Sequence, residues 1–358
     1  MRGPDTATAP GAGEASGMAK KGRVFVRGMT SETYGLGEFR SRQLAAPRVR
    51  DNDVVVDTGD SAAHSGDSAK SRTWWRVGPG DDPFLTQTVQ VHFVELPPES
   101  SNNGHGHQNE AAFYILEGRG YEIHDDQRYD WKQGDLVFVH TDSVHRHFNP
   151  YDEKAVALVM KAKCTWMFLG LIQQGRSGPI ERPDEFEERS DWGRIWTPGV
   201  LDRRKVVTAE DSAWETTPMG RMRVMNSKEM TQNRQFGVDV FELTVPAGSR
   251  SGKHWKMADE ILYVLDGEGY SLHWEVQAEI AEKYYARIAR EPTRHEITKG
   301  DTLYVPQNTI AQHFAADGTP LHLLSAQNRV FKHLGYDNVH YFENAPEYDS
   351  ALAGAATG

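Results

Sequence analysis

The stretch "GHGHQNEAAFYILEGRG", Gly104 to Gly120, places two histidines two residues apart at the head of an apolar run that ends in a glycine turn. A second stretch repeats its frame: "GKHWKMADEILYVLDGEGY", Gly252 to Tyr270. With an offset of 149, His105 falls on His254, Gly118 on Gly267 and Gly120 on Gly269. Further along, "KQGDLVFVHTDSVHRHF" from Lys132 matches "TKGDTLYVPQNTIAQHF" from Thr298, now with an offset of 166. The chain is therefore a tandem duplication with 17 residues inserted in the second copy. The inserted region, "WEVQAEIAEKYYARIAREPTRH", is rich in helix formers. Its apolar residues Ile280, Tyr284, Tyr285 and Ile288 have helix-like spacing, which predicts a helix.

Each copy reads as short strands broken by turns. "LTQTVQVHFVEL" and "FGVDVFELTV" alternate and carry β-branched residues, "FYILEG" and "LYVLDG" run into turns, and "GDLVFV" and "GDTLYV" leave them. Many short strands at close spacing predict an all-β chain of sandwiches or barrels. Residues 1–22 read as a disordered tail, 23–175 as the first barrel and 176–235 as a linking segment. Residues 236–345 read as the second barrel and 346–358 as a tail. Within these, Asp51–Arg72 is polar and Gly/Ser-rich and reads as a mobile loop, and "RPDEFEERSDW" (182–192) as a charged helix.

The 358 residues carry a formal charge of −11, a poor match to a phosphate backbone, so no nucleic-acid partner is expected. No apolar run reaches the length of a bilayer span and the N-terminus lacks an apolar signal core, so no membrane association and a cytoplasmic location are expected. The one cysteine, Cys164, lies in an apolar context and reads as an inert thiol.

On an extended strand His105 and His107 point to one face, and inside a barrel that face is where a metal would sit. "HTDSVHRHFN" offers further imidazoles at His140, His145 and His147, of which the last two share a face. Three converging neutral imidazoles suit a first-row divalent ion, Fe(II) before Mn, Cu, Ni or Zn.

With these residues in view the chain resembles a bicupin, two cupin barrels (double-stranded β-helix, jelly-roll) in tandem. In the first cupin motif His105, His107 and Gly118 fit; in the second, Gly134, His145 and Asn149 fall in register, while His140 and Asp142 stand where proline and glycine are usual. The motif's glutamate is absent: Ala111 and Ala112 occupy its positions, and Glu110 comes one residue early, on the opposite strand face, so a three-histidine site is expected, with Glu110 as a ligand through a local bulge the alternative. This resembles the gentisate, salicylate and 1-hydroxy-2-naphthoate ring-cleaving dioxygenases. The resemblance implies Fe(II) on His105, His107 and His145, a small aromatic acid and O2 as substrates, and a homodimer or homotetramer. His147, on the same strand face as His145, is the candidate catalytic or orienting group. Gln108, Tyr114, Arg119, Trp166 and Arg176 are the candidate substrate contacts, with Arg146 expected to point outward. In the second copy Lys256 replaces one histidine and Ala311 another, so that barrel is expected to be metal-free and structural; a site of His254, Glu260 and His313 is the alternative. The functional alternatives are another metal-dependent cupin enzyme (decarboxylase, hydrolase or isomerase) or a non-catalytic binding bicupin.

Overall fold

The structure is a computed structural model that describes residues 48–49, 56–57, 71–77, 88–124, 126–141, 143–171, 174–176, 184 and 203–356. The expected tail 1–22 and, apart from residue 184, the charged segment 182–192 lie outside these.

The described residues form four antiparallel sheets, two per barrel. In the first barrel one sheet runs in the order Val206–Val207, Leu136–Val139, Ala111–Glu117, Ala155–Lys161, Gln90–Leu96, Arg72–Val77, Val56–Asp57. The facing sheet runs Gln174–Arg176, His105–His107, Ser143–Asn149, Arg119–His124, Gln127–Lys132. The second barrel repeats both orders, with Thr302–Val305, Glu260–Asp266, Leu321–Asn328, Val238–Val245 and Gly220–Asn226 in one sheet. His340–Glu343, Lys253–Lys256, Thr309–Ala315 and Glu268–Ile280 follow one another in the other.

The two barrels exchange edge strands. Arg48–Val49, within the span 23–175 expected as the first barrel, instead pairs with Thr302–Leu303 of the second. Val206–Val207, from the segment between the barrels, pairs with Leu136–Val137 of the first. The expected linker 176–235 thus supplies strands to both barrels, since Trp214–Thr217 and Gly220–Asn226 extend the second barrel's sheet. Part of the expected loop 51–72 is also a strand, Val56–Asp57, paired with Thr73 and Trp74. Pro346–Ala356, expected as a tail, is a helix.

Strand alternation sorts most of the buried apolar residues into three large cores. Leu96, Ala111, Phe113, Ile115, Trp131, Val137 and Val159 fill the first barrel, and Leu243, Leu262, Val264, Leu303 and Leu323 fill the second. The residues between them in sequence face outward and meet across the seam: Val91, Phe93, Tyr114, Phe138 and Leu158 against Val240, Ile261, Tyr263, Tyr304 and Leu324. Both faces of these strands are buried, which is why "AAFYILE" and "EILYVLD" read as unbroken apolar runs. The turns that end them need glycine. Gly118 and Gly267 have φ of 78° and 86°, and a Cβ at either would strike the backbone carbonyl of Lys154 or Pro320.

The inserted helix is not formed. The segment is a β-hairpin in which the long strand Glu268–Ile280 turns back into Tyr284–Ile288, with Val276 opposite Ile288 and Ile280 opposite Tyr284. At its base Trp274 and Val276 pack with Ile310. Residues 284–288 are all exposed, so a helix there would have no buried face to stabilise it, while the existing strand templates the backbone.

Candidate metal centre

Strand His105–His107 lies between two neighbours. His145 is directly opposite His105, and Arg176 opposes His105 from the other side. The three imidazoles converge inside the first barrel: ring centroids are 4.4 Å apart for His105–His145, 5.0 Å for His107–His145 and 5.4 Å for His105–His107. One nitrogen from each lies within 4.8 Å of the others, and this is the one group of three potential ligands that converges so among the described residues.

Backbone carbonyls orient two of the rings. His105 Nδ1 is 3.1 Å from the Asn103 carbonyl and His107 Nδ1 is 2.5 Å from that of Asn109. A carbonyl only accepts, so each Nδ1 carries the proton and each Nε2 keeps its lone pair. His145 Nδ1 is buried with no hydrogen-bond partner, a cost that a cation among the rings would offset. Burial, helped by the Lys161 charge and by His105, pushes the His107 pKa down to about 2; burial and the neighbouring imidazoles likewise lower His145. His107 and His145 are thus neutral, the form that ligates. The donor set fits a first-row divalent ion.

Among the described residues no carboxylate joins the group. Ala111 faces the barrel, and Glu110 turns to the second barrel, where its Oε2 accepts the N–H of Phe236 at 2.8 Å and of Gly237 at 2.7 Å. Beneath the triad, His147 Nδ1 lies 3.5 Å from Glu122 and its ring lies 4.7 Å from Phe113. An apolar cavity lined by Val94, Leu96, Phe113, Ile115, Trp131 and Val137 ends on His147. Burial lowers the His147 pKa to about 3, which suits this ring to orienting a bound group more than to taking a proton from it.

The remaining sequence candidates scatter. Gln108 is half-buried beside the triad. Tyr114 faces the seam and donates its hydroxyl to Glu242 at 3.0 Å. Arg119 is exposed and stacks 4.0 Å over the Tyr151 ring. Trp166 sits in the short helix Lys163–Phe168 with its indole nitrogen at the seam, 3.4 Å from where a Cβ on Gly237 would lie. Arg146 points outward to Ser101 and Asn102. Cys164 is half-buried, donates to the Thr88 carbonyl at 3.1 Å, and burial pushes its thiol up to about 12.

Sequence reading missed Glu122 and His124, although both follow Gly120 at inward parity in "RGYEIH". His124 is opposite His145 in register, with the rings 6.1 Å apart. It also missed two lysines. Lys161 ends strand Ala155–Lys161 on the barrel-facing side, in phase with Val159. Lys205, from the segment between the barrels, is buried with Nζ 2.6 Å from His124 Nδ1 and 3.1 Å from His140 Nδ1. His140 Nε2 donates to the Asn233 carbonyl at 2.6 Å, so its Nδ1 accepts from the ammonium.

In the second barrel the equivalent space is filled differently. Lys256 and Glu260, both buried, form an ion pair at 2.5 Å, and Gln327 and Ser325 also donate to the carboxylate. Burial alone would raise the Glu260 pKa, but Lys256 and His254 outweigh it and hold the acid down at about 2. His254 persists with one ring nitrogen bound to the Gly252 carbonyl at 3.0 Å.

Comparison with known families and structures agrees with this architecture. Residues 92–161 match the model of the cupin domain and residues 211–329 match a second cupin model. The chain is a bicupin, with two cupin domains. No curated protein sequence matches it. Among solved structures it is similar to salicylate 1,2-dioxygenase from Pseudaminobacter salicylatoxidans, with a TM-score of 0.57 at 13% identity over 79% of this chain and 83% of that one. A variant of that enzyme solved in complex with gentisate matches equally, with a TM-score of 0.57 at 13% identity over 81% and 85% of the two chains. Vicilin from hazelnut, Corylus avellana, matches with a TM-score of 0.54 at 11% identity over 83% and 88%. At these identities the likeness defines the fold.

Proposed function

We propose that the first barrel binds Fe(II) on His105, His107 and His145 and opens the ring of a hydroxylated or aminated aromatic carboxylic acid with O2. The observation that carries this reading is the convergence of three imidazoles in a group that, among the described residues, takes in no carboxylate. Likeness to an aromatic-ring dioxygenase supports it, but a seed vicilin is nearly as similar in fold, so the weight rests on the triad. Bound iron would supply adjacent positions for the substrate's oxygens and for O2, together with the path for electrons between them.

The chain's own residues would do the rest. Lys161, whose charge acts on His107, and Lys205, beside His124, would attract an anionic substrate. Gln108 and strand Gln174–Arg176 stand beside the ligand strand, at the edge where a substrate would enter. His147, held by Glu122 and Phe113, orients a bound oxygen, and the apolar wall of Phe113, Ile115 and Trp131 keeps water from the reacting face. The test is anaerobic loading with Fe(II), then oxygen uptake with a panel of aromatic acids that includes salicylate and gentisate. Uptake matched by a ring-opened product is the expected result. Iron-loaded protein that consumes no oxygen with any of them, or that turns a substrate over without oxygen, overturns the reading.

A further inference from the structure

The triad is built in the first barrel, yet one of its supports is anchored in the second. His107 is oriented by the carbonyl of Asn109, and the next residue, Glu110, is buried at 2% exposure. Its carboxylate reaches across the seam and accepts the backbone N–H groups of Phe236 and Gly237, both on Oε2. These two amides lead into strand Val238–Val245, which is paired along its whole length with Leu321–Asn328. The anchor is therefore rigid. It is also tight, because a Cβ at Gly237 would lie 3.2 Å from Glu110 Oε2. A continuous path runs from the second barrel's sheet through two amides to Glu110, along one peptide to the Asn109 carbonyl, and so to the His107 ring.

The duplication supplies an internal control. Asp259 is the equivalent of Glu110 by the 149-residue offset, and it reaches back to Thr88, the equivalent of Gly237. It also accepts the Tyr304 hydroxyl at 2.8 Å. The two crossings are reciprocal, but the strand before Asp259 carries Lys256 where the strand before Glu110 carries His107.

We infer that Glu110 is a positioning residue for the metal centre, and that the second barrel serves the first by holding the Asn109 carbonyl against His107. This concerns metal binding alone and stands whether or not the bound ion cleaves rings. It is tested with Co(II) added anaerobically to the full chain, reading affinity and the visible ligand-field spectrum. Loss of an outer-sphere partner lowers metal affinity about 10–100-fold, and Glu110→Ala, one bond further out, is expected at the lower end, with an altered spectrum. Glu110→Gln keeps an oxygen that accepts both amides and is expected to restore affinity and spectrum. Asp259→Ala loosens the same seam and is expected to leave both unchanged.

Equal losses in Glu110→Ala and Asp259→Ala would reduce the effect to a loosened seam and overturn the inference. So would equal losses in Glu110→Ala and Glu110→Gln, or no loss in Glu110→Ala. The unmodified protein gives a second measurement that does not depend on the variants folding. Coupling is reciprocal, so Co(II) should slow hydrogen exchange at the Phe236 and Gly237 amides, and unchanged exchange there on metal binding overturns it.

Discussion

The two barrels share strand order, turn glycines and a leading histidine, and they solve the problem of a polar barrel interior in opposite ways. In the first, His107 and His145 join His105 and Ala111 leaves room beside them. In the second, the equivalents are Lys256, Ala311 and Glu260, and the interior holds an ammonium and a carboxylate 2.5 Å apart. A fixed positive charge, carried by the chain and matched by a fixed negative one, stands where the first barrel presents a set of imidazole donors. The frame is common to both; three side chains set an ion pair in one interior and three imidazoles in the other.

The strongest way to break this contrast is to exchange its residues. His107→Lys puts an ammonium among the donors, where it cannot ligate without losing its proton, and it is expected to abolish stoichiometric iron, as measured by elemental analysis. Lys256→His combined with Ala311→His makes the reverse change, and metal content is expected to rise from one to two ions per chain. Metal bound as tightly in His107→Lys as in the unmodified protein would show that the triad is not the site.

The second contrast is in stability. Lys256→Met leaves Glu260 buried with its cation removed, a change that typically costs about 3–5 kcal/mol. Adding Glu260→Leu removes the stranded charge, and the double variant is expected to recover much of the loss in denaturant unfolding. A single variant as stable as the parent would mean that Glu260 is neutral in the folded state.

The fold was legible because its signals are local. Parity along strands separates barrel-facing from seam-facing residues, and Gly118 and Gly267 mark turns that other residues strain to make. The triad was legible for the same reason: His105 and His107 share a face, and His145 recurs at fixed spacing in a second strand. What parity cannot supply is the partner across the seam. Tyr114 has the look of a pocket aromatic, yet it meets Glu242, 128 residues away. Its equivalent, Tyr263, meets Phe93, the equivalent of Glu242, with rings 5.7 Å apart. Lys205 was hidden because the segment that carries it has no periodicity, and the hairpin at 268–288 because helix propensity and spacing were outweighed by an adjacent strand.

The two acids that face opposite ways should also titrate in opposite senses. Burial raises the Glu110 pKa from 4.5 to about 7 against the opposing pull of its two backbone N–H partners. A raised carboxylate binds more protons folded than unfolded, so its contribution is full below about pH 4.5 and is lost as pH rises through 7. Glu260 is held at about 2, so its contribution is present above pH 4.5 and is lost as pH falls toward 2. Each effect is on the order of 3 kcal/mol over its window. Unfolding free energies measured from pH 3 to pH 8 are expected to lose the neutral-side decline in Glu110→Gln and the acid-side decline in Glu260→Gln. A decline from pH 5 to 7 that survives Glu110→Gln would assign it to another group.

The smallest expected effect concerns the charge around the first site. The second barrel places its lysine against Glu260, and in the first Lys161 acts on His107 while Lys205 lies beside His124 and His140. If that charge serves an anionic ligand, Lys161→Met should weaken binding of an aromatic carboxylate such as gentisate about tenfold, which is ~1.4 kcal/mol. Binding of hydroquinone, which lacks the carboxylate, should change little. The measurement is made without oxygen on metal-loaded protein, so it reads recognition apart from turnover. Raising the salt concentration should shrink the difference between the two ligands only slightly, because screening is weak for a charge held inside the barrel. Equal weakening for both ligands would assign Lys161 to packing at the barrel mouth and remove it from recognition.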